Sequence, residues 1–148
     1  MSATAIAASS KMVTLKIDGK SITVPEGTSV YDAVRLNGIY IPVLCHKENL
    51  TPVGVCRACV CDVKGSRVYA AACMRAVEDG MEVSTSNPKL DQTRATIVEM
   101  LLSDHPHPCA KHKEDRSCEL ELIAEKMGLR EPIYTPRAAT KGTDFSNP

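Results

Sequence analysis

Four cysteines, Cys45, Cys56, Cys59 and Cys73, are separated by ten, two and thirteen residues, C-x10-C-x2-C-x13-C. No other feature constrains the chain as much. A close C-x-x-C pair binds from one turn, and the two distant cysteines must be carried to it on separate segments. That is the pattern of a loop-held iron–sulfur cluster, for which four thiolates suffice. Four thiolates also suit tetrahedral zinc, but zinc knuckles usually use two short pairs and only one is present here. Iron–sulfur ligation is therefore the favoured reading, with structural zinc and unliganded thiols as the alternatives. The plant-type first gap of four residues is absent, so the loop belongs to another branch. Gly54 lets backbone pass close to a cluster. Val43, Leu44, Val53 and Val55 are expected to keep water away from it. Cys61 makes the run Cys-x-x-Cys-x-Cys, and it reads as a small buried hydrophobe rather than a fifth ligand.

The remaining composition bears on where such thiols survive. Seven cysteines in 148 residues is a high count, and an odd one. The opening MSATAIAASSK has no basic residue before its short apolar run and no arginine. It reads as a tail over residues 1–11, disordered or extended, rather than an export signal. A cytoplasmic location follows, where clustered cysteines more often bind metal than form disulfides. Eighteen basic and eighteen acidic residues cancel, so neither nucleic acid nor an anionic membrane is an expected partner. No stretch is long enough to insert in a bilayer.

Upstream of the loop, MVTLKI over 12–17 alternates, Asp18-Gly19 is a turn signal, and SITV over 21–24 returns as a hairpin. Thr28 or Ser29 can cap a helix whose apolar positions are Val30, Ala33, Val34 and Leu36, ended by Asn37-Gly38. Residues 39–44 are apolar but hold Pro42, so they read as extended. Downstream, 60–63 and 68–72 read as strands, and 80–84 as another. Asn87-Pro88 marks a boundary. KLDQTRATIVEMLLS over 89–103 is an amphipathic helix with Leu90, Ile97, Val98, Leu101 and Leu102 on its apolar side. A His/Pro segment breaks it, a second helix covers 117–127, and Gly128 stops that helix. These contents predict a small α+β fold. The organisation expected is a tail at 1–11, a cluster domain at 12–86, a helical segment at 87–129 and an extended C-terminal tail at 130–148.

The order of hairpin, V-P-E-G-T-S-V-Y-D-A helix start, cysteine spacing and following helix resembles one family closely. It is similar, over residues 12 to about 130, to the N-terminal ferredoxin-like module of the large iron–sulfur subunit of respiratory complex I. Similar modules open many [FeFe]-hydrogenases, NAD-reducing hydrogenase diaphorase subunits and NAD-dependent formate dehydrogenase subunits. The resemblance implies a β-grasp, in which a mixed sheet curls around one helix. It also implies that Cys45, Cys56, Cys59 and Cys73 hold a [2Fe–2S] cluster.

In that family a second motif, H-x3-C-x2-C-x5-C, binds a [4Fe–4S] cluster. Here the segment runs His105, Cys109, His112, Cys118 at the same spacing, with histidine in place of the second cysteine. Three outcomes stay open: a [4Fe–4S] cluster on two histidines and two cysteines, which is favoured; zinc on the same four residues; or an empty loop. His107 reads as a solvated spare.

No Gly-rich phosphate loop and no nucleophile–base constellation is present, so no catalytic site of its own is expected. The resemblance implies an electron-transfer subunit of an oxidoreductase complex. Its partners would be a flavin- and NAD-binding diaphorase subunit and a hydrogenase or formate-dehydrogenase-type catalytic subunit. A freestanding soluble ferredoxin and a zinc-stabilised adapter without redox function are the alternatives.

Overall fold

The computed structural model describes residues 11–47, 50–106 and 108–129. The expected tails therefore lie outside the described residues, apart from Lys11. Strands β1 (Met12–Ile17) and β2 (Lys20–Pro25) form the hairpin, with Val13 opposite Val24 and Leu15 opposite Ile22. Period-two patterning puts Val13, Leu15, Ile17, Ile22 and Val24 on one buried face. At the turn, Asp18 (φ 48°) and Gly19 (φ 80°) both take positive φ, the geometry that matches strand twist in a two-residue hairpin. Asp18 has a second task. Its carboxylate accepts from the Thr85 amide at 2.8 Å and the Thr85 hydroxyl at 2.6 Å, which ties the turn to a segment far along the chain.

Helix α1 (Val30–Leu36) is capped by Ser29, whose Oγ accepts from the Asp32 amide at 3.0 Å. Val30, Ala33 and Val34 are fully buried against the sheet residues. Leu36, expected on this stripe, is instead 68% exposed, because it falls in the last turn beside the Asn37 cap.

Strands β3 (Val60–Val63), β4 (Ala70–Ala71) and β5 (Glu82–Ser84) complete a five-stranded sheet of order β2-β1-β5-β3-β4. β1 and β5 run parallel, and the other neighbours are antiparallel. A mixed sheet holding one helix is the expected α+β, ferredoxin-like architecture. The strand expected over 68–72 shortens to 70–71. Ser66 Oγ donates to the Val68 carbonyl at 2.7 Å, which closes a local turn, and Val68 is 74% exposed. β5 starts later than expected, after Gly80 at φ 73°.

Helix α2 (Pro88–Ser103) begins with proline at its first position, and Asn87 Oδ1 accepts from the Leu90 amide at 2.8 Å. The two compact units of the chain, residues 1–94 and 95–148, divide inside this helix. In the first unit, Leu90 and Arg94 are buried. In the second, the described residues contain the end of α2, then α3 (Ala110–Asp115) and α4 (Glu119–Lys126), with Val98, Leu102, Ile123 and Ala124 buried. α3 is not among the elements that the sequence predicts. Gly128, at φ 74°, ends the last helix as expected. Among the described residues, no helix is long and apolar enough to cross a membrane.

Candidate metal centres

The sheet brings Cys59 and Cys73 together. Antiparallel pairing sets Val60 opposite Ala71, so the next residues along are Cys59 and Ala72, whose amide donates to the Cys59 carbonyl at 3.2 Å. Cys73 follows at once. The first turn of α1 fixes the same segment: the Val30 amide donates to the Arg75 carbonyl at 2.8 Å and the Tyr31 amide to the Ala72 carbonyl at 3.0 Å. His46, next to Cys45, stands edge-on to Tyr31 with ring centroids 5.4 Å apart, linking the loop entry to the same helix. Helix, loop and sheet therefore converge on one place.

The four thiols fall into two pairs. Cys45 acts most directly on Cys56, and Cys59 on Cys73. Cys59 and Cys73 are buried, while Cys45 and Cys56 are half-buried. Burial opposes ionisation of Cys45, but hydrogen bonds from the Cys56 backbone and side chain and from the Val55 and Gly54 backbone hold its thiol below the usual value. At Cys56 burial wins over backbone bonds from Ala58, Cys45 and Leu44, and its thiol is raised. Cys73 is pushed up to about 12 by burial, then by its bond to Cys59 and the surrounding thiolates. Several negative sulfurs forced together in this way repel one another unless iron neutralises them. Amides aimed at sulfur stabilise the ligated form, because hydrogen bonds to cluster sulfurs are part of how iron–sulfur sites are held. The donor set fits a [2Fe–2S] cluster.

Gly54 sits at φ 65°, and a Cβ there would meet Met74 Cγ at 2.6 Å. It is thus required by both conformation and space. Arg57, inside the close cysteine pair, also takes positive φ (57°). Cys61 lies outside the two pairs. It is fully buried, its Sγ donates to the Ala70 carbonyl at 3.5 Å, and burial followed by the nearby Cys59 raises its thiol to about 12. Val43 and Leu44 are half-buried, but Val53 is 58% and Val55 73% exposed. Those two valines do not seal the loop within this chain. With Leu50 and Met74, also exposed, they form apolar surface on and beside it.

One residue near this site escaped sequence reading. Arg94 is 5% exposed, and its guanidinium donates to the Val60 carbonyl through both Nε (3.0 Å) and Nη2, and to the Thr85 carbonyl through Nη1 at 2.6 Å. Val60 is the residue after Cys59. A signal was available: Leu90, Arg94, Val98 and Leu102 recur every four residues, so an arginine occupies an apolar-stripe position.

The second unit gathers three of the four residues expected there. One donor atom each from His105, Cys109 and Cys118 lies within 4.8 Å of the others. His105 Nε2 is 3.5 Å from Cys118 Sγ and 3.6 Å from Glu121 Oε1. Both cysteines are helix N-caps, and Cys109 Sγ accepts from the His112 amide at 3.4 Å. His112 itself lies outside the three-atom group. Its Nε2 meets Glu125 Oε1 at 3.1 Å, and Arg116 donates to both oxygens of Glu125 at 2.8 Å. The contacts of His112 and Arg116 hold the Glu125 carboxyl below its usual range. Among the described residues, His112 Nδ1 is buried without a hydrogen-bond partner. His107 lies outside the described residues.

Comparison with known proteins decides between metal classes at the first site. The 2Fe-2S iron-sulfur cluster binding domain family matches residues 10–88, more than half of the chain. The chain belongs to this family. A [2Fe–2S] cluster is the cofactor of this 2Fe-2S domain, and electron transfer is its role. The chain is 40% identical over 129 residues to the NADP-reducing hydrogenase subunit HndD of Solidesulfovibrio fructosivorans, covering 83% of this chain and 22% of that protein. It is 32% identical over 135 residues to the NAD-reducing hydrogenase HoxS subunit gamma of Cupriavidus necator, covering 91% of this chain and 57% of that subunit. Similarity extends to the mitochondrial NADH-ubiquinone oxidoreductase 78 kDa subunit of Candida albicans, 32% identical over 83% of this chain and 18% of that subunit. The 2Fe-2S domain and its helical extension thus span between about a fifth and just over half of these relatives. Among solved structures, an NAD+-reducing [NiFe]-hydrogenase in the H2-reduced state matches with TM-score 0.77 and 29% identity, over 84% of this chain and 53% of that one. The resemblance to complex I and hydrogenase modules holds.

Proposed function

We propose that Cys45, Cys56, Cys59 and Cys73 ligate the [2Fe–2S] cluster, and that the chain relays single electrons inside a multi-subunit, NAD(P)-linked oxidoreductase. The observation that carries the assignment is the β3–β4 register that sets Cys59 beside Ala72 and Cys73, with Cys45 and Cys56 as a second interacting pair. Two irons with two ligands each need two such pairs. When bound, the cluster supplies reversible one-electron chemistry. The chain supplies the rest: four sulfurs, backbone amides that favour their ionised form, and a sheet and helix that fix Cys59 and Cys73 in register.

The partner reading follows from the relatives' names, which include NAD- and NADP-reducing hydrogenase subunits and an NADH-ubiquinone oxidoreductase subunit. On one side we place a flavin- and NAD(P)-binding diaphorase subunit, and on the other a hydrogenase or formate-dehydrogenase-type subunit, in the cytoplasm. Exposed Leu50, Val53, Val55 and Met74 support docking at the cluster loop, since apolar side chains left uncovered there become dry once a partner seats on them.

Serine substitution at each of the four cysteines, with iron and sulfide quantitation and EPR of the dithionite-reduced protein, tests the ligand set. The expected result is about two irons and two sulfides per chain at this site, with a reduced-cluster EPR signal that each substitution abolishes or alters. A substitution at any of the four that leaves iron content and spectrum unchanged removes that residue from the set. Affinity purification from the native host tests the relay. Recovery as a partner-free monomer would favour a shuttling ferredoxin.

A further inference from the structure

The second unit poses a separate problem. Its described segment, residues 95–129, buries only Val98, Leu102, Ile123 and Ala124 besides its two cysteines. The donor geometry of its His/Cys group bears on which metal it would hold. Zinc bonds of about 2.3 Å to sulfur and 2.0–2.1 Å to nitrogen, at tetrahedral angles, put a sulfur and a nitrogen ligand about 3.5 Å apart. His105 Nε2 and Cys118 Sγ are 3.5 Å apart, and Cys109 Sγ completes a set within 4.8 Å. In a [4Fe–4S] cube each ligand binds a different iron, so its donors stand further apart than those around one ion. Three donors this close suit a single ion.

The fourth donor is identified by what is missing from its surroundings. His112 Nδ1 is buried and has no hydrogen-bond partner among the described residues, a costly state for a polar nitrogen. Its other ring nitrogen is engaged by Glu125, which Arg116 holds with two hydrogen bonds. A histidine with one nitrogen on a carboxylate and the other vacant is the arrangement by which proteins fix a metal-binding tautomer. The His112 amide, bonded to Cys109 Sγ, keeps the residue beside the three-donor group.

We propose that His105, Cys109, Cys118 and Nδ1 of His112 bind one Zn²⁺ ion as a structural staple, with Glu125 as the positioning residue for His112. Two thiolates and two neutral imidazoles are an ordinary zinc set. The inference does not depend on the ligand assignment at the first site, since zinc and iron are counted separately.

The test uses the full chain. Purified anaerobically, it should hold about one zinc per chain in addition to the iron of the [2Fe–2S] cluster. Zinc affinity, measured by competition with a chromophoric chelator, should fall at least tenfold in His112→Ala and about 10- to 100-fold in Glu125→Gln. Reconstituted with zinc alone, without iron or sulfide, His112→Cys should restore binding, because a Cys3His set also suits zinc. In that background Glu125→Gln should have no further effect, an outcome that a general folding role for Glu125 does not produce. Far-UV circular dichroism of each variant with excess zinc controls for unfolding. The proposal is overturned if the wild-type chain binds four additional irons with sulfide and no zinc. It is equally overturned if His112→Ala and Glu125→Gln leave zinc affinity unchanged, or if Glu125→Gln weakens the His112→Cys chain as much as the parent.

Discussion

Replacing Arg94 by methionine keeps an unbranched stem and helix propensity but removes a guanidinium that is 5% exposed. Two carbonyls then lose their donors: Val60, which receives two N–H groups, and Thr85, which receives one at 2.6 Å. A buried polar group left unsatisfied costs about 1–3 kcal/mol, so two carbonyls cost about 2–6 kcal/mol. Relief from burying a charge offsets part of this, as the desolvation that lowers the Arg94 pKa indicates. Asp91, 3.6 Å away and half-exposed, recovers little of that burial cost in the parent. We therefore expect a net loss of about 3 kcal/mol. With a urea m-value of about 1–3 kcal/mol/M, the midpoint falls by about 1–3 M. The Val60 carbonyl directly follows Cys59, so iron loss should accompany or precede global unfolding. Arg94→Lys should fall between, since an ammonium keeps the charge but cannot fork between two carbonyls. Urea titrations followed by far-UV circular dichroism and by the visible cluster band separate the two events. A midpoint shift under about 0.3 M in Arg94→Met, with an unchanged visible band, would refute the claim that the guanidinium holds the cluster strand.

Two further outcomes follow. Cys61→Ala should retain full iron and its EPR spectrum and lose about 1 kcal/mol or less, because the thiol fills a small buried space and makes one long bond to the Ala70 carbonyl; iron analysis and a urea midpoint check this, and loss of iron would make Cys61 a ligand. Gly54→Ala should cost about 1–2 kcal/mol from its positive φ and should also loosen the cluster, because the added methyl meets Met74 Cγ at 2.6 Å; in Gly54→Ala/Met74→Ala the packing part is relieved and the conformational part remains, so cluster release should slow only partway toward the parent.

How far the sequence could be read depended on the range of the forces involved. The hairpin was visible because each strand carries its own period and Asp18-Gly19 its own turn chemistry, all within fourteen residues. The first metal site was visible because covalent spacing limits which ligands can meet, whatever the surrounding fold. The pairing of its thiols was not, since that depends on β3–β4 register and on the first turn of α1 bonding to Ala72 and Arg75. Strand ends were misplaced where a side chain overrode local propensity, as Ser66 does beside Val68. The valines at 53 and 55 show the same limit in another form: apolar character says that a side chain prefers cover, not that its own chain provides it.

Arg94 and His112 mark the deeper difficulty. Each is a polar residue at a place where the local pattern calls for something else, an apolar stripe in one case and a thiolate in the other. Pattern reading treats such a residue as a departure to be tolerated. In the folded chain each carries specific hydrogen bonds, to the Val60 and Thr85 carbonyls and to Glu125. Burying a polar group is too costly to persist without partners. An out-of-pattern polar residue on a buried stripe or in a ligand series is thus a prediction that partners exist, even before the fold says which. For Arg94 the fold supplies two carbonyl partners that take three of its N–H groups. For His112 it supplies Glu125 and, among the described residues, nothing for Nδ1. That inequality separates a residue completed by folding from one that calls for a ligand.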